Sequence, residues 1–378
     1  MFYNYSTQTR QALKRPPKFS IIIPCYKVEK YIRACLDSVL AQKCDSWEAI
    51  CTDDGSPDET GRVLDDYLRE HFGNITEEER VIKAIGDEDR HPEAPKRVLT
   101  GALASGARMM VVHQQNCGVS GARNTAMTLA TGEWLVYLDG DDLLAPRAFD
   151  IVEKCLKKFP DADIVRCGYV NFNDGEECVW PHDFVDEVQS IDISKEIPDA
   201  FGGCFQRMVF RRELVKDVAY KGVSCTEEMP YVLRCFDRAI VLALINDVFY
   251  GYRVLVGSMS HRQCSLERYN QYYDATRAMM KIISNSSKTF PKSLIRANIN
   301  RWIESQYACI NCSLSSYEDR KDAVGYWKKH LPGLKKYCNY CTLWQRIVLH
   351  VCLWCPFFFF YFLFCKLPYF VKRAGIHR

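Results

Sequence analysis

Short apolar runs alternate with amphipathic segments over the first 150 residues of the chain. Residues 19–23 form a β-branched apolar run that Pro24 closes, a pattern typical of a buried strand in a parallel sheet. Residues 29–42 place apolar side chains at helical spacing and predict an amphipathic helix. The same patterns predict helices over residues 58–72 and 119–130, and strands over residues 47–52, 109–113 and 133–138. This order predicts an α/β fold with an open, mostly parallel, twisted sheet flanked by helices.

Changes in composition divide the chain into four segments. Residues 1–17 are a polar N-terminal tail, and residues 18–265 form the main predicted domain. Within that domain, residues 73–108 are charged and irregular, and we interpret them as a surface insertion. Residues 266–342 are predicted to form a C-terminal helical extension, and residues 343–378 form a hydrophobic tail.

Composition and charge are those of an ordinary globular protein. The hydrophobic fraction is 48%, the charged fraction is 26%, and the net charge of +3 is too small to indicate nucleic acid as a partner. The start of the chain lacks an apolar signal sequence, so we expect the 19 cysteines to be free thiols in a reducing cytosol. Three Cys-x-x-Cys pairs are compatible with a zinc site, but among so many cysteines this spacing is expected to arise by chance. The pairs are Cys309/Cys312, Cys338/Cys341 and Cys352/Cys355.

Acidic pairs stand where two of the predicted strands end. Asp53 and Asp54 follow one strand, and Asp139 and Asp141 follow another. Ligands of open α/β sheets bind at the carboxyl ends of the strands, so we expect these side chains to converge on one site. Each pair also fits a simple turn, because Asp-Gly favours turns and either Ser56 or Asp58 is suited to cap the helix that follows.

The chemistry of these residues suits a phosphorylated ligand. Asp139 and Asp141 provide two carboxylates one residue apart, a hard oxygen site for Mn²⁺ or Mg²⁺, and such an ion neutralises a diphosphate. Asp53 and Asp54 are suited to accept hydrogen bonds from a nucleobase and a ribose. Arg123 lies early in a predicted helix after a glycine-containing turn, where both the helix N-terminus and the guanidinium suit phosphate. A solvated surface arginine is the alternative interpretation of Arg123.

Four motifs occur in the order of one family. They are Ser20-Ile-Ile-Ile-Pro-Cys-Tyr26 with Glu29, then TDDGSPDET, NCGVSGARNTAM and VYLDGDDLL. Together they resemble the family 2 glycosyltransferases, inverting enzymes with the GT-A nucleotide-sugar fold. The resemblance covers about residues 18–265. Lys27 departs from it, because the family usually has asparagine there.

The resemblance implies a nucleotide-sugar site at the strand ends. Asp53 would contact the base, Arg123 would approach the diphosphate, Asp139 would face the ribose or the metal, and Asp141 would be the direct metal ligand. The residues expected to line the nucleotide pocket beside them are Pro24, Tyr26 and Glu29.

The resemblance also implies a catalytic base in an acidic pair beyond the donor-binding part. The matching pair is Glu227-Glu228, where the family more often has Glu-Asp, so Glu228 takes the position of the base. The alternative is that both acids merely favour a helix N-terminus. His261 is a weaker candidate for the metal or the diphosphate, since a single histidine is more often structural.

These features predict an inverting glycosyltransferase that uses Mn²⁺ or Mg²⁺. It would move a sugar from a nucleotide diphosphate donor, with UDP the expected nucleotide, to a glycan or lipid-linked acceptor in cell-surface polysaccharide synthesis. Two alternatives remain: a catalytically silent nucleotide-sugar-binding protein, and a sugar-phosphate nucleotidyltransferase. The nucleotidyltransferase ranks lower because no glycine-rich, arginine-containing loop follows the first strand.

The hydrophobic tail bears on where the protein works. Residues 347–365 are almost wholly apolar, near the lower length limit for crossing a bilayer, and His350 and Pro356 interrupt them. Basic residues flank the segment on both sides. We therefore expect a cytoplasmic protein attached to the cytoplasmic face of a membrane, with a buried core helix as the alternative.

Overall fold

The computed structural model describes residues 16–44, 46–86, 95–181, 188–198, 205–220, 228–255 and 266–295. The chain divides into two compact units. The first contains residues 1–195 and 203–258, and the second contains residues 196–202 and 259–378. All described candidate site residues belong to the first unit, whereas His261 and the tail 343–378 lie outside the described residues.

The first unit is a mixed α/β structure with one large sheet. Its strands are β1 (Phe19–Cys25), β2 (Trp47–Asp53), β3 (Gly73–Arg80), β4 (Lys96–Ala102), β5 (Arg108–His113), β6 (Trp134–Tyr137), β7 (Leu143–Leu144), β8 (Ile164–Asn173), β9 (Val188–Asp192), β10 (Met208–Arg211) and β11 (Val241–Val254). Its helices are α1 (Ile32–Leu40), α2 (Thr60–His71), α3 (Gly118–Leu129), α4 (Ala148–Lys158), α5 (Arg212–Val215) and α6 (Glu228–Arg238), with a 3₁₀ turn at Phe205–Arg207. In the second unit, α7 covers Leu266–Asn285.

The sheet is parallel at its centre, antiparallel on the β3–β4 side, and mixed on the other side, where β8 and β11 pair in parallel. The strand order is β3-β4-β5-β2-β1-β6-β10-β8-β11-β7, with β9 paired to β11. Strands β5, β2, β1 and β6 pair in parallel, whereas β4 and β10 run antiparallel to their neighbours. The predicted α/β fold is confirmed, and the predicted parallel arrangement holds for these four central strands. Their carboxyl ends meet at one edge of the sheet, which is where open α/β sheets bind ligands.

The segment 73–108 contains strands, so the prediction of an irregular insertion was wrong. Strand β3 pairs antiparallel with β4, and β4 pairs antiparallel with β5. Every side chain of β3 is exposed, which removes the alternation that marks a strand in a sequence. Arg97 of β4 donates to Glu77 of β3 at 2.6 Å, and such opposite charges favour the pairing.

The core packs the central strands against the helices. Strand β1 is buried along almost its whole length, as its continuous apolar run predicts. The rings of Phe19 and Phe149 stack with their centroids 4.6 Å apart, joining β1 to α4. Gly132 lies against the start of β1, where a Cβ atom would meet the Ser20 Oγ at 2.6 Å. Only glycine fits there.

A buried carboxylate joins the amino ends of the central strands. Glu48 of β2 accepts hydrogen bonds from the Ser20 hydroxyl at 2.6 Å and from the Thr131 and Gly132 backbone N–H groups at 2.6 and 3.1 Å. Arg108 of β5 donates to its other oxygen at 2.9 Å. One side chain therefore links β1, β2, β5 and the loop that leads into β6.

Two findings concern the cysteines and the membrane. The cysteines within the described residues are free thiols, and most of them are buried. All three Cys-x-x-Cys pairs fall outside that part of the chain. Among the helices that the structure describes, none combines the length and the hydrophobicity that crossing a bilayer requires.

Replacing Glu48 by glutamine should lower the free energy of unfolding by about 2–4 kcal/mol, because buried donors then lose a charged acceptor. Urea unfolding followed by circular dichroism measures the change. The matched control is Glu79→Gln on the exposed β3 strand, which should change the stability by less than about 0.5 kcal/mol. Equal stability of the two variants would contradict the role given to Glu48.

Candidate functional site

A row of alternating charges begins where β2 ends. Asp53 accepts a hydrogen bond from the Ser56 backbone N–H at 3.1 Å, and its other oxygen contacts His113 Nδ1 at 3.0 Å. His113 Nε2 contacts the Asp65 carboxylate of α2 at 2.8 Å, and Arg97 donates to Asp65 at 2.8 Å. We call Asp53, His113, Asp65 and Arg97 the His113 row.

The electrostatics of the His113 row favour its charged forms. Burial by itself lowers the pKa of His113, but the hydrogen bonds to Asp53 and Asp65 outweigh it and raise that pKa to about 9. Burial raises the pKa of Asp53, yet the hydrogen bonds from His113 and Ser56 hold it below its ordinary value. At neutral pH, His113 is therefore an imidazolium between two carboxylates.

Asp54 points into the protein and organises the loop before α3. Its carboxylate accepts hydrogen bonds from Gln114 Nε2 at 2.7 Å and from the Cys117 backbone N–H at 2.9 Å. Its backbone N–H donates to the Cys25 carbonyl at 2.9 Å. The side chain is buried, and burial raises its pKa. Asp54 thus lies at the N-terminal end of α3, where the sequence analysis expected a phosphate group to bind.

Arg123 joins the two carboxylates on which the predicted chemistry depends. It is 2% exposed, and its Nη2 donates to Asp139 at 2.9 Å and to Glu228 at 3.2 Å. Gln206 Nε2 donates to the same two carboxylates, at 2.7 Å and 3.3 Å. Asp139, Arg123, Gln206 and Glu228 form what we call the bridging cluster. The end of β6 and the start of α6 meet in it.

Sequence reasoning missed Gln206. It lies in the 3₁₀ turn before β10, and no motif or periodicity marks a single glutamine in that position. The neighbouring Phe205 and Tyr220 rings lie 5.1 and 5.4 Å from the Arg123 guanidinium. Such cation–π contacts fix the plane of the guanidinium, so these aromatic residues position the bridging cluster.

The turn after β6 is fastened to β11 by Asp142. This buried carboxylate accepts hydrogen bonds from the Tyr250 hydroxyl at 2.6 Å and the Arg253 backbone N–H at 2.7 Å. Arg253 Nε also donates to the Asp141 carbonyl at 2.8 Å. The Arg253 guanidinium packs over the Phe172 ring at 4.5 Å. These contacts hold the backbone at Asp141 and Asp142 against β11.

Asp141 has the character of a cation ligand. Burial and the nearby charge of Asp139 raise its pKa to about 6, so negative charge accumulates here with little compensation. Unlike Asp139, the Asp141 carboxylate accepts no side-chain hydrogen bond from the described residues. The oxygen donors fit Mn²⁺ or Mg²⁺, although within the described residues no three His, Cys, Asp or Glu side chains form a complete metal site.

The remaining candidates lie near the ends of β1 and α2. Pro24 is half-buried opposite Thr52, and Tyr26 is 45% exposed. The Glu29 carboxylate accepts the Glu59 backbone N–H at 2.9 Å, at the start of α2. Lys27 has a left-handed backbone with φ of 57°, a conformation that asparagine adopts more readily.

The chain has relatives among known proteins. The family model described as glycosyl transferase family 2 matches residues 20–85 and 89–219. The uncharacterized glycosyltransferase EpsJ of Bacillus subtilis is 28% identical over 247 residues, 63% of this chain and 61% of that protein. Chondroitin synthase of Escherichia coli is 34% identical over 169 residues, 44% of this chain and 19% of that protein. The chain therefore covers less than two thirds of either relative.

A solved structure has the same fold. It is S. aureus TarS 1–349 in complex with UDP-GlcNAc, which superposes with a TM-score of 0.59 at 16% identity. The superposition covers 89% of this chain and 87% of that one. At this identity the likeness shows the fold alone.

Replacing Asp141 by asparagine should stabilise the metal-free protein. A carboxyl group whose pKa is raised from 3.8 to about 6 by folding destabilises the folded state as pH rises between these values, and the full cost persists above pH 6. In EDTA at pH 8, we expect Asp141→Asn to raise the free energy of unfolding by about 1–3 kcal/mol. The gain should vanish near pH 4. Urea unfolding at both pH values measures it.

The control for this prediction is Asp161→Asn, in an exposed turn after α4. It should leave the stability unchanged at both pH values. A gain for Asp141→Asn that is the same at pH 4 and pH 8 would show that the charge of Asp141 is not its cause.

Proposed function

The chain belongs to glycosyl transferase family 2, and on this premise we propose that it is an inverting glycosyltransferase with a nucleotide diphosphate donor. The proposed donor is a UDP-sugar. The proposed acceptor is a hydroxyl group of a glycan or a lipid-linked saccharide, in the synthesis of a cell-surface polysaccharide. The relation to chondroitin synthase supports polysaccharide synthesis, and the UDP-GlcNAc bound to TarS supports the nucleotide.

The bridging cluster is the observation that carries the proposal. Arg123 and Gln206 each contact both Asp139 and Glu228. Asp139 lies at the carboxyl end of the central sheet, where the donor binds in this proposal, and Glu228 begins α6. A base within reach of the donor is what a single displacement requires, because nucleophile and reacting carbon must be brought together in one geometry.

In the proposed reaction, Glu228 takes the proton of the acceptor hydroxyl as that oxygen attacks the anomeric carbon. The bond between this carbon and the phosphate oxygen breaks, and the nucleoside diphosphate leaves with the bonding electrons. Attack from the opposite face inverts the configuration. Arg123 balances the charges of Asp139 and Glu228, so that the base stays oriented before the acceptor arrives.

The donor side is assigned to the strand ends. Asp53 retains free acceptor capacity on its two oxygens for a nucleobase N–H, and the exposed Tyr26 ring offers an apolar face to the base. Asp141, with Asp139 beside it, would hold Mn²⁺ or Mg²⁺. When bound, the cation supplies Lewis-acid stabilisation of the charge on the leaving diphosphate.

We expect the purified protein to release a nucleoside diphosphate from one member of a panel of nucleotide sugars in the presence of Mn²⁺ and acceptor. Glu228→Gln should lower kcat by at least about a hundredfold while donor binding stays within about threefold, since only proton removal is lost. Glu213→Gln, an exposed glutamate of α5, is the matched control and should keep full activity. Unchanged turnover in Glu228→Gln would refute its role as base, and donor binding without transfer in the unaltered protein would indicate a silent binding protein.

We also propose that residues 343–378 attach the protein to the cytoplasmic face of a membrane. The support is compositional: an apolar, phenylalanine-rich stretch flanked by Lys366, Lys372 and Arg373 resembles an interfacial anchor. Such an anchor would bring the site close to a lipid-linked acceptor.

Removing the chain from residue 343 onward should move the protein from the membrane pellet to the supernatant. Detergent-free fractionation of cells that express the full chain or the shortened chain measures this. The donor-binding affinity of the shortened chain is the control for folding and should stay unchanged. Equal membrane association of both chains would exclude the tail as the anchor.

A further inference from the structure

Three members of the His113 row, Asp53, His113 and Arg97, occupy one line across three strands. His113 of β5 is in register with Asp53 of β2 on one side and with Arg97 of β4 on the other. Aligned residues of neighbouring strands project to the same face of a sheet, so the three side chains lie side by side. Asp65 reaches them from α2 above that face.

Helix α2 packs directly against the contact between Asp53 and His113. A Cβ atom on Gly61 would meet the Asp53 Oδ2 at 2.7 Å and the His113 Cε1 at 3.3 Å. This spacing leaves no room for a water molecule between α2 and the contact. On this side, the Asp53 oxygen that faces His113 is therefore held by the imidazole and not by solvent.

The charges around His113 balance only when the ring carries a proton. Asp53 and Asp65 face it directly. Behind them, Arg97 contacts Asp65 at 2.8 Å and Glu77 at 2.6 Å, while Arg69 lies 3.9 Å from Asp65. A neutral imidazole has a single N–H and can donate to only one of the two carboxylates.

We propose that His113 is a positioning residue for the donor nucleotide: as an imidazolium it donates to Asp53 and Asp65 together and so holds the Asp53 carboxylate in the direction that receives the nucleobase. This inference rests on the proposed function, which assigns the nucleobase to Asp53. When His113 loses its proton, Asp65 competes for the remaining N–H. Among the described residues, Asp53 is then held by Ser56 alone, through its backbone N–H and its side chain.

Donor binding should therefore weaken at alkaline pH. The row is intact below the His113 pKa of about 9 and loses its central cation above it. Asp65 is one cause of that raised pKa, yet it does not contact the nucleotide in this proposal. Its removal should move the alkaline loss of binding to lower pH while leaving Asp53 and His113 in place.

Two substitutions of His113 separate its two hydrogen bonds. The asparagine amide nitrogen takes the place of Nδ1, so His113→Asn keeps a donor for Asp53. The glutamine amide takes the place of Nε2, so His113→Gln keeps only the donor for Asp65. With UDP and GDP as probes in titration calorimetry at pH 7, we expect His113→Gln to raise the Kd about tenfold or more, and His113→Asn to raise it less than about threefold.

The pH profile gives a readout that a purely structural role would not change. The Kd of the unaltered protein should rise as pH passes about 9, and Asp65→Asn should shift this rise downward by about one pH unit while the Kd at pH 6 stays unchanged. In His113→Asn, only the rise caused by ionisation of the nucleobase N–H itself should remain. In transfer assays, His113→Gln should raise KM while kcat changes by less than about threefold. Thermal unfolding establishes that each variant is folded.

A His113→Gln protein with the original Kd, or superimposable pH profiles for the unaltered protein and Asp65→Asn, would overturn the inference while the proposed function stands. An unaltered protein that binds neither UDP nor GDP would overturn both.

Discussion

A guanidinium buried in a protein is stable only when nearby carboxylates compensate its charge. Arg123 is such a group, and Asp139 after β6 and Glu228 at the start of α6 compensate it. Removing either carboxylate would leave a buried charge partly unbalanced, so the two are held together even before any substrate binds. The geometry of the candidate reaction centre is therefore a consequence of how one helix, α3, buries its arginine.

The central part of the fold could be predicted from the sequence because burial on both faces leaves a continuous apolar run, as in β1. No apolar run marks a strand that is held only by its backbone hydrogen bonds to a neighbouring strand. Strand β3 has no buried face, so its glutamates read as an irregular charged segment. The order of the strands in the sheet could not be predicted either. Nothing in the composition of β10 indicates that it lies between β6 and β8.

For the site, the sequence predicted which acids stand at strand ends, but not what each one contacts. Asp53 and Asp54 read as an equivalent pair, yet only Asp53 joins the His113 row, and Asp54 fixes the loop that leads into α3. Gln206 and Asp65 could not be predicted, because their roles arise from packing between residues far apart in the chain. The family motifs identify residue types, whereas the distances between them are a property of the folded sheet.

The free edge of β3 affects how copies of this protein behave in concentrated solution. Within the described residues, β3 pairs only with β4, so its other side presents unpaired backbone groups. A second copy adding a strand there would bring the run Glu77–Glu79 against a like-charged run, and repulsion would oppose the contact. The glutamates that remove the strand pattern from the sequence therefore also oppose edge-to-edge aggregation.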